Sequence, residues 1–67
     1  MKEFGEILRD LRKASNLTTI QLAKKINVSD STISNWENNV YDVKGEHLKR
    51  LSKFFNVSTD YLLGLED

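Results

Sequence analysis

The chain contains no cysteine, so neither a disulfide nor a thiolate metal site is open to it. It contains one histidine, His47, which could hold a metal ion only with several carboxylate helpers. Proline is absent as well, and there is neither a low-complexity tract nor an internal repeat. No apolar run approaches the ~20 residues that cross a bilayer. The first apolar stretch is broken by Glu3, Glu6, Arg9 and Asp10, which is unlike a signal peptide. An excess of either charge is missing too, since ten Lys and Arg balance ten Asp and Glu. A strongly basic chain would point to nucleic acid; here the distribution of charge has to decide. With a lone histidine and no glycine-rich phosphate loop, an enzyme has little behind it. The expectation is a protein without catalytic residues, cofactor, metal or membrane span, in a reducing compartment, most simply the cytoplasm.

What is present is helical periodicity. The 67 residues suit one domain, 1–67, able to bury roughly 60 % of the surface of its unfolded chain. Phe4, Ile7, Leu8 and Leu11 recur at three- and four-residue spacing and predict a helix from about Lys2 to Ala14. Thr18 or Thr19 offers an N-cap to a second helix carrying Leu22, Ala23 and Ile26. Asn27 ends it, because asparagine tolerates the left-handed backbone of a helix terminus. Ser29 caps a third helix, from about Asp30 to Asn38, with Asp30 where the helix dipole favours an anion. Leu48, Leu51, Phe54 and Phe55 mark a fourth, from about Glu46 to Phe55. Ser58 caps a short fifth, holding Tyr61, Leu62 and Leu63, and Gly64 ends it. Tyr61, Leu62, Leu63 and Leu65 are expected to pack the core, with part of the set left over. Five short helices with brief connections make an all-α bundle.

Helices two and three are separated by Asn27, Val28 and Ser29 alone, the length of a helix-turn-helix turn. The residue types suit one. Ala23 is small where the helices must cross, Asn27 can take the left-handed turn, and Val28 can seal it. Ile33 and Trp36 point inward against Leu22 and Ile26. The opposite face of helix three then shows Asp30, Ser31, Ser34, Asn35 and Asn38, with Thr32 at its margin. A solvated helix face usually carries Lys and Glu; this one carries short hydroxyls and amides that can approach base edges in a major groove. Cations for the phosphates can come from flanking segments. A plain solvated surface is the blander account of this face, as of Lys24 and Lys25, where phosphate contact is no better supported than solvation. For Trp36 a core position is preferred, and for His47 a surface one.

The stretches LTTIQLAKKINVSDSTISNWENN and LKRLSKFFNVSTDYLLG resemble the Xre/Cro-type helix-turn-helix family, the DNA-binding domains of phage and bacterial repressors. The resemblance runs from about Phe4 to Gly64. It implies a five-helix, lambda-repressor-like domain with the motif at about 19–38, binding palindromic operators on double-stranded DNA as a homodimer. It also implies an ion pair between Arg12 on helix one and Glu37 late in helix three. The chain departs from the family at Thr19, where glutamine is frequent. It departs again at Asn27 and Asn39, where glycine is usual, and at Val43 and Gly45, near a common proline.

On this reading Ser31, Thr32, Ser34 and Asn35 are the base-contact set. Asn35 leads, because its amide can pair bidentately with adenine. Asp30 is second-tier, since its charge is costly beside phosphate. Thr19, Ser29, Asn38 and Lys44 are the phosphate-contact set. Leu65 with the outer sides of Tyr61 and Phe55 is the candidate dimer surface. The expected function is a sequence-specific transcriptional regulator, a repressor. The competing one is a protein-interaction module or antitoxin-like regulator that keeps the fold and binds DNA weakly or not at all. The zero net charge and Asp30 favour that competitor. The end just past Leu65 fits either a small whole protein or part of a longer regulator.

Overall fold

The structure, a computed structural model, describes residues 2–66; the outermost residues of the expected 1–67 domain lie outside the described ones. It contains five helices and, among the described residues, no strand. They are α1 (Phe4–Ala14), α2 (Thr19–Ile26), α3 (Asp30–Glu37), α4 (Gly45–Phe55) and α5 (Thr59–Leu62). The all-α, five-helix expectation holds, with boundaries shifted by one or two residues: α1 starts at Phe4 rather than Lys2, and α4 at Gly45 rather than Glu46.

Local chemistry explains where the helices begin and end. Thr18, not Thr19, is the N-cap of α2. Its hydroxyl accepts from the Gln21 amide at 3.1 Å while the Gln21 side chain accepts from the Thr18 amide at 2.8 Å. These two bonds satisfy two donors that a helix start otherwise leaves open. Ser29 and Ser58 cap α3 and α5 in the simpler way. Four asparagines, Asn16, Asn27, Asn39 and Asn56, take φ between 56° and 60°. They occupy turn positions where a β-branched residue would be strained.

The core is formed by Ile7, Leu8, Leu22, Ala23, Ile26, Ile33, Trp36, Leu51 and Leu62, all buried. Leu8, Leu22, Ile33, Leu51 and Leu62 are fully so, each worth ~1.5–3 kcal/mol over the exposed state. Leu11, Val28, Leu48 and Phe55 pack partly buried against this cluster. The expectation for α5 is corrected. Only Leu62 enters the core; Tyr61, Leu63 and Leu65 are exposed. A helix of four residues makes barely one turn, so it can turn one large side chain inward. Gly64 beyond it has φ 76°, and an added Cβ would strike the Lys2 carbonyl oxygen.

Candidate nucleic-acid interface

α2 and α3 meet through a short turn. Asn27 takes the left-handed conformation, and the Val28 amide donates to the Ala23 carbonyl at 2.9 Å. Ala23 and Ile26 from α2 and Ile33 and Trp36 from α3 are buried together. Burying Ile33 and Trp36 fixes the rotation of α3 and decides which residues face out. Asp30, Ser31, Ser34 and Asn38 are exposed, and Thr32 and Asn35 are half-exposed.

These side chains are not equally free. The Ser29 hydroxyl accepts from the Thr32 amide at 3.2 Å and also meets the Thr32 hydroxyl at 2.7 Å and the Ser31 hydroxyl at 3.2 Å. Ser29, Ser31 and Thr32 therefore form one hydroxyl cluster over the first turn of α3. Among the described residues, the side chains of Ser34 and Asn35 make no hydrogen bond within the protein. An amide with its donor and acceptor both unspent suits bidentate pairing with a base edge. Asn38 is different. Its amide nitrogen donates to the Ser34 carbonyl at 2.9 Å and its oxygen accepts from Arg9 at 3.2 Å. Thr19 is the first residue of α2, half-exposed, one place after the capping Thr18. Lys44 precedes α4 as its N-cap and borders a surface depression with Thr32, Trp36, Tyr41, Asp42 and His47. Lys44 thus shares an edge with Thr32 of α3, whereas Lys24 and Lys25 lie exposed in the last turn of α2.

The far end of α3 is held by charge. The Arg12 Nε donates to Glu37 Oε2 at 2.6 Å, and its Nη2 to Oε1 at 3.0 Å. The third nitrogen, Nη1, donates to the Leu17 carbonyl at 2.9 Å. The Glu37 side chain is 4 % exposed and that of Arg12 13 %. The hydrogen bond to Glu37 raises the Arg12 pKa above the ordinary arginine value, against the opposing effect of burial. Arg9 joins the same carboxylate, with its Nε 3.3 Å from Oε1. No buried side-chain nitrogen or oxygen is left without a partner among the described residues.

Three features here escaped the sequence reading. Arg9 could have been found, because it precedes Arg12 by three residues and so shares its helix face. Gly5 could have been found too, since a glycine inside a helical pattern hints at close backbone approach. Its amide donates to Asn39 Oδ1 at 3.0 Å, and a Cβ at Gly5 would stand 2.5 Å from the carbonyl oxygens of Trp36 and Glu37. The contact of the His47 ring with Trp36, at 5.3 Å between centroids, carries no short-range signal. His47 is half-buried, not a free surface residue.

Among the described residues, no group of three histidine, aspartate or glutamate side chains is placed to hold a metal ion. Nor is any described helix long and apolar enough to cross a membrane.

Comparison with known proteins bears on what such a face does. Residues 8–62 match the helix-turn-helix family. The chain is 46 % identical over 65 residues to the HTH-type transcriptional activator BcrR of Enterococcus faecalis, covering 97 % of this chain and 32 % of that protein. It is 36 % identical over 63 residues to the HTH-type transcriptional regulator ImmR of Bacillus subtilis, covering 94 % and 50 %. The chain thus spans half or less of the length of these relatives. Among solved structures it superposes on the P22 c2 repressor in complex with a synthetic operator, with a TM-score of 0.91 and 36 % identity. That match covers 98 % of this chain and 100 % of the other.

Proposed function

The chain belongs to the helix-turn-helix family of the Xre/Cro type, and from that premise we propose that it is a sequence-specific DNA-binding transcriptional regulator. In this reading it occupies a palindromic operator as a dimer, through the major groove, and represses. The observation that carries the proposal is the outward face of α3. Its second turn presents an Asn35 amide and a Ser34 hydroxyl without partners among the described residues, on a helix whose rotation is fixed by buried Ile33 and Trp36. The likeness to a repressor bound to operator supports it.

Asn35 is the principal base reader, with Ser31 and Ser34 beside it and Thr32 at the edge. Asp30 can accept from a cytosine amino group. Phosphate contact falls to Thr19, Ser29 and Lys44. The dimer is weak alone and completed on DNA, because the candidate surface on and after α5 offers only a few exposed apolar side chains. Leu65 is 64 % exposed and Tyr61 36 %, and Phe55 is half-buried. Two-fold symmetry then sets the two α3 helices about one DNA turn apart, ~34 Å.

Selection of bound sequences from a random duplex pool, followed by a salt titration, tests this. The expected result is a palindromic consensus whose affinity falls steeply with salt, as counterions are released from phosphates. The competing reading, a protein-interaction module that has kept the fold, draws on the zero net charge and on Asp30. It would be favoured by the absence of a consensus.

A further inference from the structure

Three consecutive residues at the end of α3 are each fastened to α1. Glu37 gives its carboxylate to Arg9 and Arg12 and its main-chain carbonyl to Arg9 Nη2, at 3.4 Å. Asn38 gives its Oδ1 to the same Arg9 nitrogen at 3.2 Å. Asn39 gives its Oδ1 to the Gly5 amide. Among the described residues the start of α3 has no such anchorage through polar groups, for the Ser29 hydroxyl bonds stay within its own first turn.

The two arginines do different things. Arg12 already meets the Glu37 carboxylate with two bonds of 2.6 and 3.0 Å. The Arg9 side chain is 41 % exposed and adds only a 3.3 Å contact to that carboxylate. What Arg9 does and Arg12 does not is reach the Glu37 main-chain carbonyl and, through the same nitrogen, hold Asn38. The nitrogen of that amide in turn holds the Ser34 carbonyl at 2.9 Å. A continuous path therefore runs from α1 through Arg9 and Asn38 to Ser34, one residue before Asn35. With both ends of its amide engaged, Asn38 is committed to this path.

Resting on the reading of α3 as the base-reading helix, we infer that Arg9 is a positioning residue for sequence discrimination, and that Asn38 is its strut rather than a phosphate ligand. Arg9 fixes the second turn of α3 against α1, so that the Asn35 amide meets a base edge already oriented. A reading group held by a second layer of hydrogen bonds loses less freedom on binding and discriminates more sharply.

The variants Arg9→Lys, Arg9→Gln, Asn38→Ala and Arg9→Lys with Asn38→Ala test this, first in the free protein. Lysine keeps the charge but lacks the planar fork that spans two acceptors. By NMR, Arg9→Lys should release the Asn38 side-chain amide, seen as faster exchange of the proton it donates to the Ser34 carbonyl, while circular dichroism stays helical. An Asn38 amide that exchanges as in the wild type would overturn the strut. On DNA, each single variant should lower the ratio of operator to random-duplex affinity about tenfold, the worth of one hydrogen bond to a charged group. The double variant should be no worse than either, because the two residues act in series. The salt slope should not move. A slope shallower by about 0.9 per half-site in Arg9→Gln, with the ratio preserved, would make Arg9 a phosphate ligand and overturn the proposal. If the wild type selects no consensus, the DNA reading fails and the discriminating role falls with it. The amide measurement would then still decide whether the Arg9–Asn38 tie exists.

Discussion

The Glu37 carboxylate and the Arg12 guanidinium are joined by two hydrogen bonds, at 2.6 and 3.0 Å, with the carboxylate almost wholly out of solvent. The pair links the last turn of α1 to the last residue of α3 and so ties the two helices together. Removing one partner of a buried pair strands the other charge and costs ~3–5 kcal/mol, a large part of the stability of so small a domain. Glu37→Ala is therefore expected to lower Tm far more than Lys13→Ala, whose side chain is exposed on α1 next to Arg12. Equal small shifts in thermal unfolding would contradict this. The pH dependence has a definite sign. The folded-state pKa of Arg12 is raised, so its contribution is fully present below the ordinary arginine value and is lost only above it. Mild alkali should leave the pair intact.

A second prediction concerns a close approach of α1 to α3, at Gly5. Gly5→Ala places a methyl 2.5 Å from two backbone carbonyl oxygens, and backbone cannot swing aside as a side-chain tip can. Overpacking of this kind costs ~1–3 kcal/mol. Gly45 is the control, because nothing lies within 4 Å of the position its Cβ would take. Gly45→Ala should raise stability by ~0.4–1 kcal/mol, by restricting the unfolded chain. Urea unfolding of the two variants should give opposite signs.

The contrast between those glycines shows where the sequence stops being legible. Helix periods, caps and asparagine stops are local, and they located all five helices within a residue or two. The capping box between Thr18 and Gln21 was readable at the same range, in the spacing of a hydroxyl and an amide three apart. Local spacing could flag Arg9 and Gly5, but not their partners: the ties to Asn38 and Asn39 join residues 29 and 34 positions apart, and no short-range pattern names the far end. On α5 the difficulty was of another kind. Tyr61, Leu62 and Leu63 are all apolar enough for a core, and only the docking of the turn decides that Leu62 alone goes in. On the α3 face the residue types were plain, but not which hydroxyls are tied to Ser29 and which side chains stay free.

At the surface, Lys2 Nζ lies 2.8 Å from Asp10 Oδ2. The hydrogen bond and charge of Lys2 hold the Asp10 carboxyl below its ordinary value. A lowered carboxyl pKa contributes stability above the unfolded value and loses it as pH falls through the folded one. Both groups are exposed, so salt screens the effect. The NMR titration midpoint of Asp10 should rise toward the ordinary carboxylate value in Lys2→Gln, and also in wild type at high salt. A midpoint indifferent to both would rule the pair out in solution.

The last prediction separates reading from holding on DNA. Asn35 and Lys44 border the same side of the protein, but their chemistry differs. Among the described residues the Asn35 amide has no partner, and it presents a donor and an acceptor together, the pattern that pairs with adenine and is worth ~1–3 kcal/mol of discrimination. Lys44, exposed at the N-cap of α4, offers a point charge without preferred direction, which suits any phosphate and no particular base. Asn35→Ala should therefore relax preference at one base pair in each half-site and leave the salt slope unchanged. Lys44→Ala should weaken every sequence alike and make the slope shallower by about one charge per half-site. Selection from a random duplex pool measures the first, and affinity against salt concentration the second. Should Asn35→Ala retain the wild-type consensus, the base-reading set would have to be sought elsewhere on α3, with Ser31 the next to test. Should Lys44→Ala keep the full slope, its charge would lie off the path of the DNA backbone.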